Sequence, residues 1–384
     1  MRLPGGYRIT GVRDGKTGLG LICAPSGMKA AGIFTNNANP AEPVKHCRAA
    51  IKHPLHRAIL VNRGSANAAT GEEGRRRMLG MLGRASGLLG IPDDEILPAS
   101  TGVIGRQIEL DPSLLEDLIS RKEERDPVSF AEAIMTTDTV SKLSEASFSA
   151  GGGEVALLGA AKGAGMICPD MATMLAFIIT DADMDKEALD RALRICSRDS
   201  FNALCVDGET STNDSVFLCA SGVGEKVSGG GRGFDDFCDS LGKVCSELAS
   251  RIAADGEGAT KSIKITVTGA LSGEEARKAA RAVAASPLCK TAFYGASPNW
   301  GRIISAIGAA GISVELERFS VSAGGAYLVR NGRADEAGET AAREVMAREG
   351  YSLDITVGSG SGKGVCHTCD LSPEYVAINA GYLS

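Results

Sequence analysis

The spacing of apolar residues along the chain predicts a series of amphipathic helices. Met78, Met81 and Leu82, for example, recur at the intervals that place side chains on one face of a helix. Helix start signals support the same segments, such as Ser272 followed three residues later by Glu275, which is a capping box. The helices predicted in this way cover residues 71–89, 111–120, 127–135, 185–199, 234–254, 272–285 and 335–347.

Shorter apolar runs between Gly, Pro and Asn predict β-strands. Residues 262–269 alternate between apolar and polar side chains, whereas residues 171–180 are almost continuously apolar without a helical period. The second pattern is typical of a strand that is buried on both faces. Further strands are predicted at 19–23, 31–35, 57–61 and 154–158. Together these elements indicate an α+β protein, built as a layered helix–sheet–sheet–helix sandwich, in which the last hundred residues add strands and one helix.

Composition and charge narrow the functional classes. The chain has 384 residues, which is more than one ordinary hydrophobic core accommodates. This length predicts two or three sub-domains. A net charge of −6 without any basic stripe argues against nucleic acid as a partner. The apolar runs are far shorter than the ~20 residues of a spanning helix, and the first six residues lack the apolar core of a signal peptide. We therefore expect a cytoplasmic protein that does not interact with membranes.

The cysteines are scattered and odd in number, 11 in total, which predicts buried, reduced thiols. Cys366 and Cys369 form a Cys-x-x-Cys pair, but a structural zinc site needs four ligands and no second pair has suitable spacing. An alternative is a metal shared with His46, His53 and His56, which would make the protein a metal- or redox-responsive binding protein. We predict no metal site, because a pair of buried thiols in a strand is the commoner situation.

Two other catalytic motifs are absent from the sequence. Gly358 precedes Gly362 and Lys363 by three residues instead of the four of a phosphate-binding loop, and Gly364 stands where Ser or Thr is required. A hairpin turn is therefore predicted for this segment. There is no Gly-x-Ser-x-Gly motif, and none of the four histidines adjoins an obvious Ser or Cys nucleophile motif. If the protein transfers acyl groups, its base is not expected to be histidine.

One segment, residues 162–181, suits an internal nucleophile. A glycine-rich loop leads through Pro169 to Ala172 and Thr173, directly before the strand predicted to be buried. The Thr173 hydroxyl could attack the carbonyl of Ala172, and hydrolysis of the resulting ester would free the threonine amine. An α-amine has a pKa of about 7.7 to 8.0, so it can act as the base for its own hydroxyl. By composition alone, a threonine that merely opens a strand is the commoner situation.

The same segment resembles the cleavage-site signature of the ornithine acetyltransferase family, enzymes of the arginine acetyl cycle. That signature is Lys-Gly-small-Gly-Met, then a few residues, then Met-Ala-Thr-Met-Leu, and every element of it occurs between Lys162 and Leu175. Further similarities follow in order along nearly the whole chain. They include residues 31–36, 66–68, 100–105, 135–139, 206–214, 255–261, 298–303, 369–371, 375–376 and 378–379.

The resemblance implies specific roles for individual residues. Thr173 would be the nucleophile, freed by cleavage of the Ala172–Thr173 bond and acetylated during turnover. Thr101 and Gly102 would form an oxyanion hole from a hydroxyl and a backbone N–H, in which one donor is typically worth ~3 to 4 kcal/mol. The residues that would bind the substrate are Thr136, Thr137, Lys162, Thr173, Glu257, Asn379 and Ser384.

The resemblance also implies an architecture and a reaction. The fold would be a self-cleaving N-terminal-nucleophile sandwich with a smaller α/β part at its C-terminus, cut into chains 1–172 and 173–384, and two cleaved pairs would form a heterotetramer. The enzyme would move an acetyl group from N2-acetylornithine to glutamate, with acetyl-CoA as an additional donor if it is bifunctional. No metal or organic cofactor would be required. The alternative is an aminopeptidase or amidase of the same fold, with water as the acceptor.

Overall fold

The computed structural model describes residues 2–109, 111–168 and 174–381. Within these ranges the chain forms two sheets and a set of covering helices. The strands are β1 Arg8–Asp14, β2 Thr17–Phe34, β3 His56–Ser65, β4 Ile96–Val103, β5 Lys142–Ala150, β6 Gly153–Lys162, β7 Leu175–Thr180, β8 Leu204–Cys205, β9 Ser215–Ala220, β10 Ser262–Ala270, β11 Ser320–Ala323, β12 Ala326–Arg330, β13 Arg333–Ala334, β14 Gly350–Thr356 and β15 Gly362–Cys369.

The helices correspond closely to the predicted ones. They are α1 Glu42–Ala50, α2 Gly71–Leu89, α3 Pro112–Ser120, α4 Pro127–Ala133, α5 Lys186–Arg198, α6 Arg232–Ala254, α7 Gly273–Ala285, α8 Pro287–Tyr294, α9 Trp300–Ala309, α10 Glu336–Met346 and α11 Pro373–Gly381. The sequence analysis missed α1, α8, α9 and α11. Each has only 8 to 10 residues, so the apolar period repeats few times and does not by itself distinguish a helix. The equally short α3 was predicted because an Asp-Pro-Ser start signal precedes it at residues 111–113.

The long strand β2 connects the two layers of the sandwich. We predicted two separate strands, 19–23 and 31–35, but the structure joins them into one strand of 18 residues. Its pairing with β3 shifts register between Cys23 and Met28, and such an irregularity bends a strand. The first part of β2 pairs with β1 and β3, whereas the second part pairs with β9, so the strand passes from one layer into the other.

The predicted helix–sheet–sheet–helix sandwich is confirmed. One layer consists of β1 to β4, and the other continues from β2 through β9, β7 and β6 to β5. Apolar side chains from both layers meet in a shared inner core. The outer face of the first layer packs against α2 and α3, and the outer face of the second packs against α5 and α6. This arrangement leaves the central strands buried on both faces.

The strand β7 lies in the middle of the second layer. It runs parallel to β9 and antiparallel to β6, and all of its residues are buried. Ala176 and Ile178 face the outer helices, whereas Phe177 faces the inner core. The prediction of a strand buried on both faces is therefore confirmed for residues 175–180; its first part, residues 171–173, lies outside the described residues.

The C-terminal part adds a second sheet. Its order is β13-β12-β11-β14-β10-β15-β8, and α7 packs against β10 and β15. The predicted hairpin turn at residues 358–364 is wrong, because β14 and β15 do not pair with each other but flank β10 on opposite sides. The loop between them crosses the end of β10, where the Gly360 N–H donates to the carbonyl of Gly269 at 3.0 Å.

The cysteines are free, and they are buried except for the half-buried Cys238, in agreement with the sequence analysis. Cys366 and Cys369 lie in β15. In the ranges that the structure describes, no helix combines the length and the apolar character needed to cross a bilayer.

Replacing Phe177 by Ala is expected to lower the free energy of unfolding by about 3 to 5 kcal/mol, because it empties the centre of the inner core. The Phe177 ring stacks on Phe217 and meets Phe130 edge-on, with ring centroids 5.6 Å and 5.4 Å apart. Thermal and denaturant unfolding measure the loss. Leu271→Ala is the control, since Leu271 is 84% exposed and its truncation should change stability by less than about 0.5 kcal/mol. Equal losses for both variants would contradict the position assigned to Phe177.

Candidate active site

A pocket with a volume of ≈ 260 Å³ lies where β7 begins. Its volume is near the lower end of the range known for small-molecule sites. Met174, the residue after Thr173, lines it. Thr173 itself, Ala172 and Ser384 lie outside the described residues. All the other residues that the sequence analysis assigned to the site line this one pocket; they are Thr101, Gly102, Thr136, Thr137, Lys162, Glu257 and Asn379. Their convergence is a finding, whereas their individual roles remain predictions.

The topology explains why residues so distant in sequence meet here. β6 runs antiparallel to β7, so Lys162 at the end of β6 pairs with Leu175 at the start of β7. The parallel strand β9 brings Ser215 to the same level, and its N–H donates to the Met174 carbonyl at 2.9 Å. The end of β4, the loop after α4, the glycine-rich loop after β6, the loop between β8 and β9, the turn after α6 and the helix α11 supply further walls.

Lys162 is the central cation of the pocket. Its ammonium donates hydrogen bonds to the hydroxyl of Thr136 at 2.7 Å and to the hydroxyl of Thr101 at 3.1 Å. A hydroxyl that accepts a bond still has its own proton to donate. Lys162 therefore orients the two threonines as donors towards other groups in the pocket. For Thr101 this is the arrangement that an oxyanion hole requires.

Buried charges surround Lys162. Burial lowers the pKa of its ammonium, and the nearby carboxylate of Asp138, at 3.9 Å, opposes that effect. For Asp138, burial raises the pKa, but Lys162 and Lys142 outweigh it and lower the value to about 2. At neutral pH Asp138 is therefore ionised, and it forms an ion pair with Lys142 at 2.7 Å in which both side chains are fully buried.

Gly102 needs to be glycine for two reasons. Its φ angle is 132°, which disfavours residues with a side chain, and a Cβ atom would stand 2.4 Å from the carbonyl carbon of Gly64 on the paired strand β3. The preceding strand end is fixed by Asn213, whose amide donates to the carbonyls of Ser100 at 2.8 Å and Ala66 at 2.6 Å. The backbone of the predicted oxyanion hole is thus held in one position.

Glu257 lines the same pocket as Lys162 and belongs to the turn after α6. The amide of Asn379 in α11 donates to its carboxylate at 2.9 Å. A Cβ atom on Gly165 would approach the Glu257 carboxyl carbon to 2.4 Å, so a side chain there would displace the Glu257 carboxylate from its present position. This close approach gives a physical reason for the second glycine of the Lys-Gly-small-Gly-Met sequence.

The sequence analysis assigned no role to several residues at this site. Asp207 accepts hydrogen bonds from the N–H groups of Met166 at 2.6 Å and Ile167 at 2.8 Å, and so holds the loop that follows Lys162. Burial raises the pKa of Asp207 despite these donors. Burial, together with Asp207 and Glu257, also raises the pKa of Tyr375, to about 12. Asp207 lies in one of the family-like motifs, but no pattern in the sequence indicates a pocket wall.

The alternative of a metal site at the Cys-x-x-Cys pair has no geometric support. Throughout the ranges that the structure describes, no three His, Cys, Asp or Glu side chains are grouped so that they could hold a metal ion. His56 lies in the sandwich strand β3, where burial lowers its pKa to about 4. Cys366 belongs to the core of the C-terminal part, so the two sets of residues are in different parts of the fold.

Comparisons with known proteins give the relatives of this chain. The model of the ArgJ family matches residues 6–384. An "Arginine biosynthesis bifunctional protein ArgJ" from Bartonella quintana is 39% identical, with 97% of this chain and 93% of that protein covered. A "Glutamate N-acetyltransferase" from Methanopyrus kandleri is 40% identical over 100% of both chains.

A solved structure is also similar. The crystal structure of an arginine biosynthesis bifunctional protein from Bacillus halodurans is 39% identical, with a TM-score of 0.52, and the match covers 55% of this chain and 100% of that one. The family model and the curated relatives thus span nearly the full length of the chain, including every described residue of the pocket. We conclude that this chain belongs to the ArgJ family.

Proposed function

We propose that this protein is an acetyltransferase of arginine biosynthesis. It transfers the acetyl group of N2-acetylornithine to glutamate through an acetyl ester on Thr173. The observation that carries the proposal is the convergence of Thr101, Gly102, Lys162 and Glu257 on the pocket at Met174. Membership of the ArgJ family supports the transferase over the aminopeptidase or amidase alternative.

The reaction follows from groups that the pocket brings together. Thr173 Oγ attacks the acetyl carbonyl while the threonine amine accepts its proton. The Thr101 hydroxyl and the Gly102 N–H stabilise the oxyanion, and the ornithine amine leaves with a proton. The glutamate amine then attacks the ester, which releases N-acetylglutamate and the free hydroxyl. The two half-reactions share one site, so ping-pong kinetics are expected.

The charges of the pocket suit a zwitterionic substrate. Lys162 can meet a carboxylate, since its ammonium is the cationic group among the described side chains that line the pocket. The carboxylate of Glu257 lines the same pocket, where it can bind an ammonium group of the substrate. The other described carboxylates of the lining are Asp207, Glu209 and Asp214. This surplus of negative charge favours a donor that carries an ammonium group, as N2-acetylornithine does on its side chain.

Cleavage at Ala172–Thr173 is part of the proposal. It divides the chain into residues 1–172 and 173–384, and the second piece has 212 residues (384 minus 172). That piece is 55% of the chain, the same share that the Bacillus halodurans crystal chain matches over its full length. The agreement in length supports a mature protein in two pieces. We expect these pieces to stay together, because β7 pairs with β6 across the cut.

Several finer points of the proposal are independent of this geometry. We expect two cleaved pairs to form a heterotetramer, and the reaction to need no metal or organic cofactor. Relatives at about 40% identity include proteins named as bifunctional and proteins named only as glutamate N-acetyltransferases. A bifunctional form of the proposal therefore adds acetyl-CoA as a second donor. The test is acetylation of glutamate by the purified protein, with N2-acetylornithine or acetyl-CoA as the only donor.

Replacing Thr173 by Ala is expected to leave one uncut chain of 39.6 kDa without transferase activity, because no hydroxyl can attack the Ala172 carbonyl or carry the acetyl group. Intact mass and a coupled assay for N-acetylglutamate measure both effects. Thr173→Ser is the control, since it keeps a hydroxyl and should still be cleaved. An active, uncut Thr173→Ala protein would overturn the proposal.

Replacing Gly102 by Ala is expected to lower kcat by about 10²- to 10³-fold, the usual cost of one oxyanion-hole donor. The new Cβ atom would displace the strand end that carries the N–H. Gly105→Ala is the matched control: Gly105 also has a positive φ, 77°, but no atom lies within 4 Å of the added Cβ. Rates are measured per mole of cleaved protein, and equal effects of the two variants would argue against an oxyanion role.

Replacing Glu257 by Gln is expected to raise KM for N2-acetylornithine about 10- to 100-fold, since a hydrogen bond to a charged group is worth about 1.5 to 3 kcal/mol. The Asn379 contact can persist, so kcat should fall much less. Steady-state kinetics with glutamate in excess separate the two constants. Glu247→Gln, which removes a charge from the exposed side of α6, serves as the control. An unchanged KM for Glu257→Gln would remove this residue from the substrate site.

A further inference from the structure

A single carboxylate, that of Asp138, holds the surroundings of Lys162 together. Its Oδ1 atom accepts from the N–H of Gly163 at 2.6 Å, directly after Lys162 in the chain. Its Oδ2 atom accepts from the N–H of Thr136 at 3.0 Å, the residue whose hydroxyl accepts from Lys162. Asp138 thus binds the backbone on both sides of the Lys162–Thr136 hydrogen bond, and its Oδ2 also lies 3.9 Å from the Lys162 ammonium.

A second buried lysine stands behind this carboxylate. Lys142 is 0% exposed, and its ammonium donates to Asp138 Oδ1 at 2.7 Å, to Asp255 Oδ2 at 2.5 Å and to the Val140 carbonyl at 3.3 Å. All three of its protons therefore have acceptors. Lys142 is not among the residues that line the pocket, so its hydrogen bonds reach the pocket only through its two carboxylates.

The network connects two segments that line the pocket. Asp255 caps the end of α6, two residues before Glu257, and it accepts from the N–H of Thr139 at 3.0 Å and from the Thr139 hydroxyl. The wall with Lys162 and Thr136 is thereby tied to the wall with Glu257. Two lysines and two aspartates balance each other in this buried group, which otherwise would be costly to bury.

We infer that Asp138, held in place by Lys142, is a positioning residue for the transfer: it fixes the Lys162 ammonium against Thr136 and Thr101, and it keeps that ammonium charged for the substrate carboxylate. The inference deepens the function proposed above and rests on it for its kinetic consequences. Its structural part, the charge state of Lys162, stands on the contacts of Asp138 and can be tested without substrate.

The groups that face Lys162 determine the sign of the effect. Burial lowers its pKa, Asp138 raises it most among the neighbours, Lys142 and Arg63 lower it, and Glu257 raises it. The other titratable groups of the pocket are Asp207, Glu209, Asp214 and Tyr375. Removing the charge of Asp138 leaves Lys142 and Arg63 in place, so the pKa of Lys162 falls further. Since Lys162 is charged only below its pKa, substrate binding is then lost at a lower pH.

The test is the Asp138→Asn variant. The alkaline limb of its kcat/KM profile for N2-acetylornithine should move to lower pH by about one unit or more, the usual effect of a close opposite charge. KM should rise more than kcat falls. In parallel, trace labelling of amines with acetic anhydride over a series of pH values, read by peptide mass spectrometry, should report the same downward shift for Lys162.

Two further variants separate positioning from folding. Asp138→Asn combined with Lys142→Met removes both partners of the buried ion pair, so the melting temperature should recover in part, although Asp255 loses its lysine. The limb should stay below its wild-type pH but shift less than in Asp138→Asn, because Lys142 lowers the pKa of Lys162 less than Asp138 raises it. Asp181→Asn is the matched control. Asp181 is a buried carboxylate that accepts from the N–H of Ala156 at 2.9 Å and of Gly5 at 3.1 Å, but it follows the opposite end of β7. It should lower the melting temperature and leave the profile unchanged.

The outcomes distinguish this inference from the proposed function. A wild-type profile and unchanged Lys162 labelling in Asp138→Asn, or restoration of both in the double variant, would overturn the positioning role. If the wild-type protein transfers no acetyl group, the proposed function fails, and the labelling experiment alone still decides whether Asp138 keeps Lys162 charged.

Discussion

The fold depends on the confinement of β7. Strands β6 and β9 pair with it on either side, and the inner core and the outer helices cover its two faces. Its first residues therefore cannot move relative to the ends of the neighbouring strands, where Lys162 and Asp214 stand. The proposed nucleophile precedes by one residue a segment that is buried and hydrogen-bonded on both sides. Apolar burial, which is the dominant favourable contribution to folding, offsets the conformational entropy that β7 loses when it becomes ordered.

Electrostatics add a second constraint at the same place. The pocket combines a cation, several carboxylates and hydroxyls next to an apolar core, where an unpaired charge is expensive. The pairing of Lys142 with Asp138 and Asp255 allows these charges to be buried together. Gly102 completes the arrangement, because the backbone of Gly64 approaches it more closely than a Cβ atom permits, and Gly165 lets the Glu257 carboxylate keep its position. Apolar packing and paired charges thus fix the site jointly.

The sequence was sufficient to predict the layered sandwich and seven of the described residues of the pocket, but by different routes. Long periodic segments such as α2 and α6 were predicted within a few residues, because many turns repeat the same apolar spacing. Pocket residues such as Glu257 and Asn379 came only from the resemblance, since each alone would pass for a solvated side chain.

What the sequence could not supply is long-range pairing. The passage of β2 between layers, and the insertion of β10 between β14 and β15, depend on contacts between distant segments. Lys142 shows the same limitation: in the sequence it lies outside every predicted element, and only the fold shows that it is buried against Asp138 and Asp255.

The central claim is that the amine and hydroxyl of Thr173 do the chemistry together. Mass spectrometry of the purified protein after mixing with N2-acetylornithine, in the absence of glutamate, tests it most directly. The account predicts a fragment that begins at Thr173 and carries one acetyl group as an ester, which disappears when glutamate is added. An active protein whose acetyl group is attached elsewhere, or whose Thr173 nitrogen is still in a peptide bond, would contradict it.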